Sequence, residues 1–392
     1  MLGGDISGGQ YGDLQMKLER EAARLKPVKE TFEVVEGTTS KRTVVSASRS
    51  GEVIPQDEWR LYLLNNWSLY DAVLHSDYCF SALSLHKSRD RMHHMFAKMG
   101  VPLSETKQPY AFMKPVFRNT LKQQLKQHAP DYGLTDLTYK GFTLVTGFSS
   151  TVAASDVCYA MMAIMETGRT ENDKTKINMA LDCMAHSRRA HGKEGQDLTN
   201  LVNGGTVAHS GLSHGLQLAK ANQRAVMTAA IGLVEKNEIV TYKHFRFAYL
   251  HATSAGSTSS TINHGSGAAA IAAAKATANP LANPGVLRKL SAFLMEMHRA
   301  GGKWAGRKAK PLILLAEVPS SESYVVSAYN CAHARGAVSA NRFGRRFALA
   351  AEKTGREGEC EVRRERFDDW VVDVPRHLVN GFVHQLHMQM DF

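Results

Sequence analysis

The spacing of apolar residues changes along this chain of 392 residues, and the change limits the folds open to it. Between residues 55 and 130 the spacing is helical. Trp59, Leu63, Trp67 and Tyr70 stand at i, i+4, i+8 and i+11, and Pro55 suits the first turn of the helix they would share. A second helix is predicted from about Ser76 to Met99, closed by Gly100 and Pro102. A short one follows Ser104 to about Phe112, and Pro115 opens another that carries Phe117, Leu121 and Leu125 and stops before Pro130. From residue 137 the pattern alters: LTYKGFTLVTGF, residues 137–148, is β-branched and aromatic and reads as a strand.

On either side of these segments, helices and strands mix. A helix over 14–25 and strands over 31–36 and 42–47 open the chain, and two strands alone are not a stable unit. Ser149 or Ser150 is placed to cap a helix ending at Gly168, and residues 168–212 read as a polar linker with one helix over 174–190. Beyond it the pattern predicts a helix over 213–236, a strand over 238–250, a Ser/Gly/Ala/Asn-rich insertion over 251–284 and a helix over 286–299. Strands at 312–318 and 323–329, a basic helix over 341–353, a strand at 370–374 and a helix opened by Pro375 complete it. The fold class is α/β or α+β.

Charge and cysteine usage narrow the setting. Lys and Arg number 48 against 37 Asp and Glu, and a net charge of +11 favours acidic partners, nucleic acid among them. Five scattered cysteines without a C-x-x-C pair argue against a disulfide framework or a thiolate zinc site and fit a reducing compartment. No secretory leader or membrane-spanning run is expected, and no membrane partner.

Four patterns bear on chemistry. Gly211-Leu212-Ser213-His214-Gly215 satisfies G-x-S-x-G, but no buried strand leads into it, so Ser213 is expected to cap the next helix rather than act as a nucleophile. The histidine pairs 93/94, 186/191 and 209/214 lack metal-ligand spacing, and the glycine-rich run 262–267 lacks a P-loop lysine. Two basic clusters remain as candidate DNA or partner contacts. Lys303, Arg307 and Lys308 flank Trp304, and Arg342, Arg345 and Arg346 share a helix with Phe343 and Phe347. Cations beside an aromatic platform suit single-stranded nucleic acid, whereas phenylalanines four apart equally suit a core-facing stripe. No catalytic residue, metal ligand or cofactor is assigned.

Several runs stand in an order that resembles the eukaryotic cell division control protein 45 family: Trp67-Ser68-Leu69-Tyr70-Asp71, Lys98 to Leu103 with Lys107-Gln108, Ala154-Ser155-Asp156-Val157 with Met165-Glu166, His214-Gly215-Leu216 with Leu218-Ala219-Lys220, and Phe343-Gly344-Arg345-Arg346-Phe347. The resemblance covers about residues 10–392 and looks like the C-terminal two-thirds of such a protein. It implies an incomplete RecJ-like, DHH-phosphoesterase-like domain (1–54 and 131–168) with an all-helical insertion (55–130). A linker (169–212) and a DHH-associated α/β domain (213–392) would follow. It also implies a nuclear, non-catalytic scaffold subunit of the replicative DNA helicase, needed for initiation and elongation of DNA replication. Its partners would be the MCM ring and the GINS complex, with single-stranded DNA and the DNA polymerase machinery as further ones. Trp59, Tyr62, Trp67 and Tyr70 of the insertion would face MCM, with core packing the preferred reading for Trp67. A single-stranded nucleic-acid binding module and a residual phosphoesterase are the competing readings, and the chain is expected to be a fragment or a truncated gene model.

Overall fold

The computed structural model describes residues 16–21, 32–35, 42–45, 53–146, 150–166, 173–189, 211–251, 279–304, 310–330, 343–354, 362 and 369–390. Residues 16–21 are helical (α1), and Phe32–Val35 (β1) pairs antiparallel with Arg42–Val45 (β2). Val53–Trp59 (β3) leads into the helices Leu69–Leu74 (α2), Asp77–Ala82 (α3), Asp90–Lys98 (α4), Leu103–Lys107 (α5) and Pro115–His128 (α6). Thr138–Thr146 (β4) and Ser150–Ala153 (β5) join β3 in a three-stranded sheet, followed by Ala154–Met165 (α7) and Asp173–Arg189 (α8). Gly211–Glu235 (α9), Val240–Thr241 (β6), Arg246–Leu250 (β7) and Pro284–Ala300 (α10) come next. Leu312–Val318 (β8), Ser323–Tyr329 (β9), Phe343–Thr354 (α11), Val371–Pro375 (β10) and Val379–Gln389 (α12) complete this mixed α/β chain.

The chain divides into two compact units. Residues 1–60, 136–165 and 172–219 form one, and residues 61–135, 166–171 and 220–392 the other. The first holds the three-stranded sheet. Edge strand β3 tolerates Pro55, which lacks a ladder donor. The Glu58 side chain, almost fully buried, lies over Gly141, where a Cβ would meet its carboxylate at 2.4 Å. Glu58 accepts hydrogen bonds there from the Phe142 amide at 3.1 Å and the Tyr139 hydroxyl at 3.1 Å. A side chain at position 141 would therefore have to push the Glu58 carboxylate out of these hydrogen bonds.

In the second unit, five strands run in the order β10-β9-β8-β7-β6, all neighbours antiparallel except β7 and β8. Parallel pairing needs a long crossover, and the connection containing α10 supplies it. β8 and β9 are buried along nearly their whole length because both sheet faces are covered. Ile313, Leu315, Val326, Val372 and Val374 face Phe343 and Phe347 of α11 and Phe382 and Leu386 of α12. α10 packs on β8 and β9 and also against α3, bringing Phe80 and Phe293 to 5.0 Å edge to face. Each fully buried phenylalanine contributes about 2–3 kcal/mol.

Several elements differ from the sequence-based expectation. The helix expected from Pro55 is strand β3, and Leu63, at φ 50°, turns the chain into the helical stretch, so Trp59 and Trp67 do not share one helix. The helix expected over 76–99 is two, α3 and α4, divided by turns in which Ser84 has φ 54°. Ser150 begins strand β5 rather than capping α7, and Pro375 ends strand β10 rather than opening α12. The strand expected over 238–250 is the hairpin β6–β7. The stop after α4 is as read: Gly100 has φ 69°, Val101 N–H donates to Phe96 O and Gly100 N–H to Ala97 O, which together close a Schellman cap. The glycine-rich run at 262–267 and most of the 251–284 insertion lie outside the described residues.

Candidate interaction surfaces

Of the four aromatic residues of the insertion offered as partner contacts, two are interior, Trp67 in agreement with its core reading. Trp67 is 6% exposed and Tyr70 8%. The Trp67-Ser68-Leu69-Tyr70-Asp71 run shows why. Ser68 caps α2, accepting from the Asp71 amide at 2.9 Å while its hydroxyl donates to the Asp71 carboxylate at 2.7 Å. This sets Trp67 against His75, 4.5 Å between ring centroids and 17° between planes, with the Arg224 guanidinium 5.0 Å from the indole. His75 Nδ1 donates to the Asp71 carbonyl at 2.9 Å, and burial lowers the imidazole pKa. Gln223 donates to the His75 carbonyl at 2.9 Å and to the Asp77 carboxylate at 3.0 Å, tying α9 to the α2–α3 corner. Tyr70 lies within 6.4 Å of Phe96, its hydroxyl 3.4 Å from His93 Nε2 and the Lys107 ammonium 5.4 Å from its ring. Tyr62 is half-buried, 6.2 Å from Trp67, and Trp59 ends β3 half-exposed. These aromatics are held by internal stacking, so Trp67 and Tyr70 do not supply a free contact surface.

The basic clusters are divided in the same way. Phe343 and Phe347 sit in the core between α11 and the sheet, Arg345 is exposed and Arg346 partly so. Arg307, Lys308 and Arg342 lie outside the described residues. Lys303 is exposed, but the Trp304 beside it is not an open platform. Its ring stacks on His298 at 3.9 Å and 22°, and the Arg246 guanidinium carbon lies 4.4 Å from its centroid. Burial, with Lys303, His86 and Arg246 nearby, pushes the His298 imidazole down to about 4. Its Nε2 and His86 Nδ1 are buried without a hydrogen-bond partner among the described residues.

The G-x-S-x-G run is helical from its first residue, so Ser213 lies within α9 and does not cap it. Its glycines serve packing. A Cβ at Gly215 would stand 2.7 Å from the Ala160 carbonyl oxygen of α7, and one at Gly211 2.9 Å from the Met179 carbonyl oxygen of α8. Among the described residues no three His, Cys, Asp or Glu side chains group as metal ligands, and no helix is long and apolar enough to cross a membrane. Cys79 is buried, its thiol pushed up to about 12 by desolvation.

A family model described as CDC45 matches residues 1–389. The chain belongs to the CDC45 family. Cell division control protein 45 of Saccharomyces cerevisiae is 25% identical over 401 residues, 97% of this chain and 56% of that protein, and the homologue in Dictyostelium discoideum is 26% identical over 94% and 51%. The Schizosaccharomyces pombe homologue is 36% identical over 205 residues, half of this chain and 32% of its own. The chain thus spans about half the length of the full relatives it matches. The crystal structure of CDC45 from Entamoeba histolytica has the same fold, with a TM-score of 0.60 at 17% identity over 96% of this chain and 63% of that one.

In this CDC45-family chain, the apolar side chains that do reach solvent in the helical stretch are ones the helical stripe passes over. Phe112 is 77% exposed and Val116 72%. The buried face of α6 is set by Leu121 and Leu125, and Met113 closes its N-terminal end. Val116 falls off that stripe, between Lys114 and Arg118, and Phe112 precedes the buried Met113. The readable signal was an apolar residue out of phase with its helix and flanked by cations.

Proposed function

We propose that this chain acts in DNA replication as a non-catalytic scaffold subunit of the eukaryotic replicative DNA helicase, in the nucleus, held with the MCM ring and the GINS complex during initiation and elongation. The observation that carries the proposal is that family membership extends over residues 1–389, through both compact units rather than one shared motif. The finer assignments belong to the same proposal. Residues 1–54 and 131–168 are a remnant of a RecJ-like, DHH-phosphoesterase-like domain, and residues 213–392 are the DHH-associated α/β domain. The helical stretch between β3 and β4 bears the MCM contact, and the DNA polymerase machinery is a further neighbour.

The scaffold reading is favoured over a single-stranded nucleic-acid module. Stacking on a base needs an aromatic face open to solvent. Phe343 and Phe347 are core residues, and Trp304 already carries an imidazole and a guanidinium.

Size-exclusion chromatography with light scattering tests the proposal, on the full chain mixed with purified GINS and, separately, with MCM from the same source. A stoichiometric complex with either is expected. A folded, monodisperse chain that forms a complex with neither would overturn it.

A further inference from the structure

We propose that the head and exposed flank of α6 form a docking surface for an acidic amphipathic protein segment, one that seats apolar side chains on Phe112 and Val116 and carboxylates along Lys122 and Lys126. The inference rests on the reading of this chain as a partner-bridging subunit and names the chemistry of one partner.

Three observations on the same element carry it. First, Phe112 and Val116 are the most exposed large apolar side chains among the described residues, four positions apart on either side of Pro115. Residues of this kind anchor interfaces when water is excluded around them. Second, α6 carries Arg118, Lys122 and Lys126 and no carboxylate. The neighbouring acids are engaged elsewhere: Glu105 is buried and pairs with Lys114 at 3.2 Å, also accepting from the Lys114 amide at 3.4 Å, while Asp131 pairs with Lys98. The exposed flank is therefore cationic with no compensating charge on its own helix. Third, Asn119, Lys122, Gln123, Lys126 and Gln127 form an open, nearly flat strip along that flank, on the side of the helix that Val116 begins. An extended or helical segment lying along this strip reaches the apolar anchors at one end and the ammonium groups along its length.

Charge complementarity selects an acidic occupant, and the aliphatic Val116 selects a protein over nucleic acid. Phosphates would use the lysines and a base could stack on Phe112, but the aliphatic Val116 would stay wet. Arg118 adds rigidity at the head of the site, its guanidinium donating to the Ala111 carbonyl at 3.4 Å next to Phe112.

The test uses the full chain, fluorescently labelled, on an array of peptides in which carboxylate number and the spacing of an apolar pair vary independently, with an oligothymidylate probed in parallel. The expected result is retention only by peptides that combine carboxylates with an apolar pair at i, i+3 or i+4. Retention should fall more than about tenfold in the Phe112→Ser/Val116→Ser and Lys122→Glu/Lys126→Glu variants. All four side chains are exposed, so both variants should melt with the wild type. Retention that follows carboxylate number alone, retention untouched by Phe112→Ser/Val116→Ser, or no retained peptide overturns the proposal. Oligothymidylate binding lost in Lys122→Glu/Lys126→Glu, with no peptide retained, overturns it in favour of nucleic acid. The light-scattering experiment separates this failure from that of the scaffold reading: a wild-type complex with MCM or GINS leaves that reading standing whatever the array shows.

Discussion

Trp67 and Trp304 share one arrangement: an indole stacked on a histidine with an arginine guanidinium close to the same ring. They differ in what surrounds the imidazole. At Trp67 the ring is almost fully buried, His75 donates to the Asp71 carbonyl, and Gln223 secures the backbone behind it. At Trp304 the ring is half-buried, His298 Nε2 has no partner among the described residues, and the nearby charges are all positive. The first stack locks the α2–α3 corner to α9. The second is an unsatisfied, proton-sensitive contact between the end of α10 and strand β7. A tryptophan beside basic residues therefore carries no information about ligand binding until its faces are accounted for.

The difference can be broken or sharpened by substitution. Trp67→Ala should cost about 3–5 kcal/mol, measured as a shift of the denaturant midpoint, because it empties a closed site and strands Arg224 and His75. Near-wild-type melting would mean that the stack is not part of the core. Trp304→Ala should cost less, about 1–2 kcal/mol in the same measurement, since the site is half-open and loses one cation–π contact and partial burial. Equal losses at the two tryptophans would erase the distinction.

The smallest effect is in pH dependence. The His298 pKa is depressed from 6.5 to about 4 in the folded chain, so the unfolded chain binds more protons between those values. Its contribution is present above pH 6.5 and is lost as the pH falls towards about 4. The whole shift corresponds to about 3 kcal/mol, and screening at a half-open site reduces this to about 1 kcal/mol. His298→Gln should flatten that part of the stability profile, measured by denaturant melts at several pH values. An unchanged slope would assign the proton uptake to another group.

Legibility in the sequence followed the source of each element's stability. Strands β8 and β9 were readable to their end residues because they are buried on both faces, so their apolar runs report the fold directly. The Gly100 stop was readable because its chemistry is local. Strand β3 was not: Pro55 and the apolar residues after it fit a helical template, and only pairing with β4, far later in the chain, decides for strand. Nor could spacing show that Arg224 and Arg246 lie against the Trp67 and Trp304 rings, since both partners come from distant segments. Val116 was visible as a residue out of phase with the α6 stripe, whereas Phe112 precedes the helix, and the exposure of both depends on how that helix packs.

Hydrogen exchange, measured on the free chain and on the chain assembled with MCM and GINS, tests the central claim most directly. Added protection is expected over residues 103–127, around the head and flank of α6, with the segment around Trp67 and His75 already protected in the free chain. Assembly without added protection at α6, or with residues 67–80 protected only on binding, would contradict it.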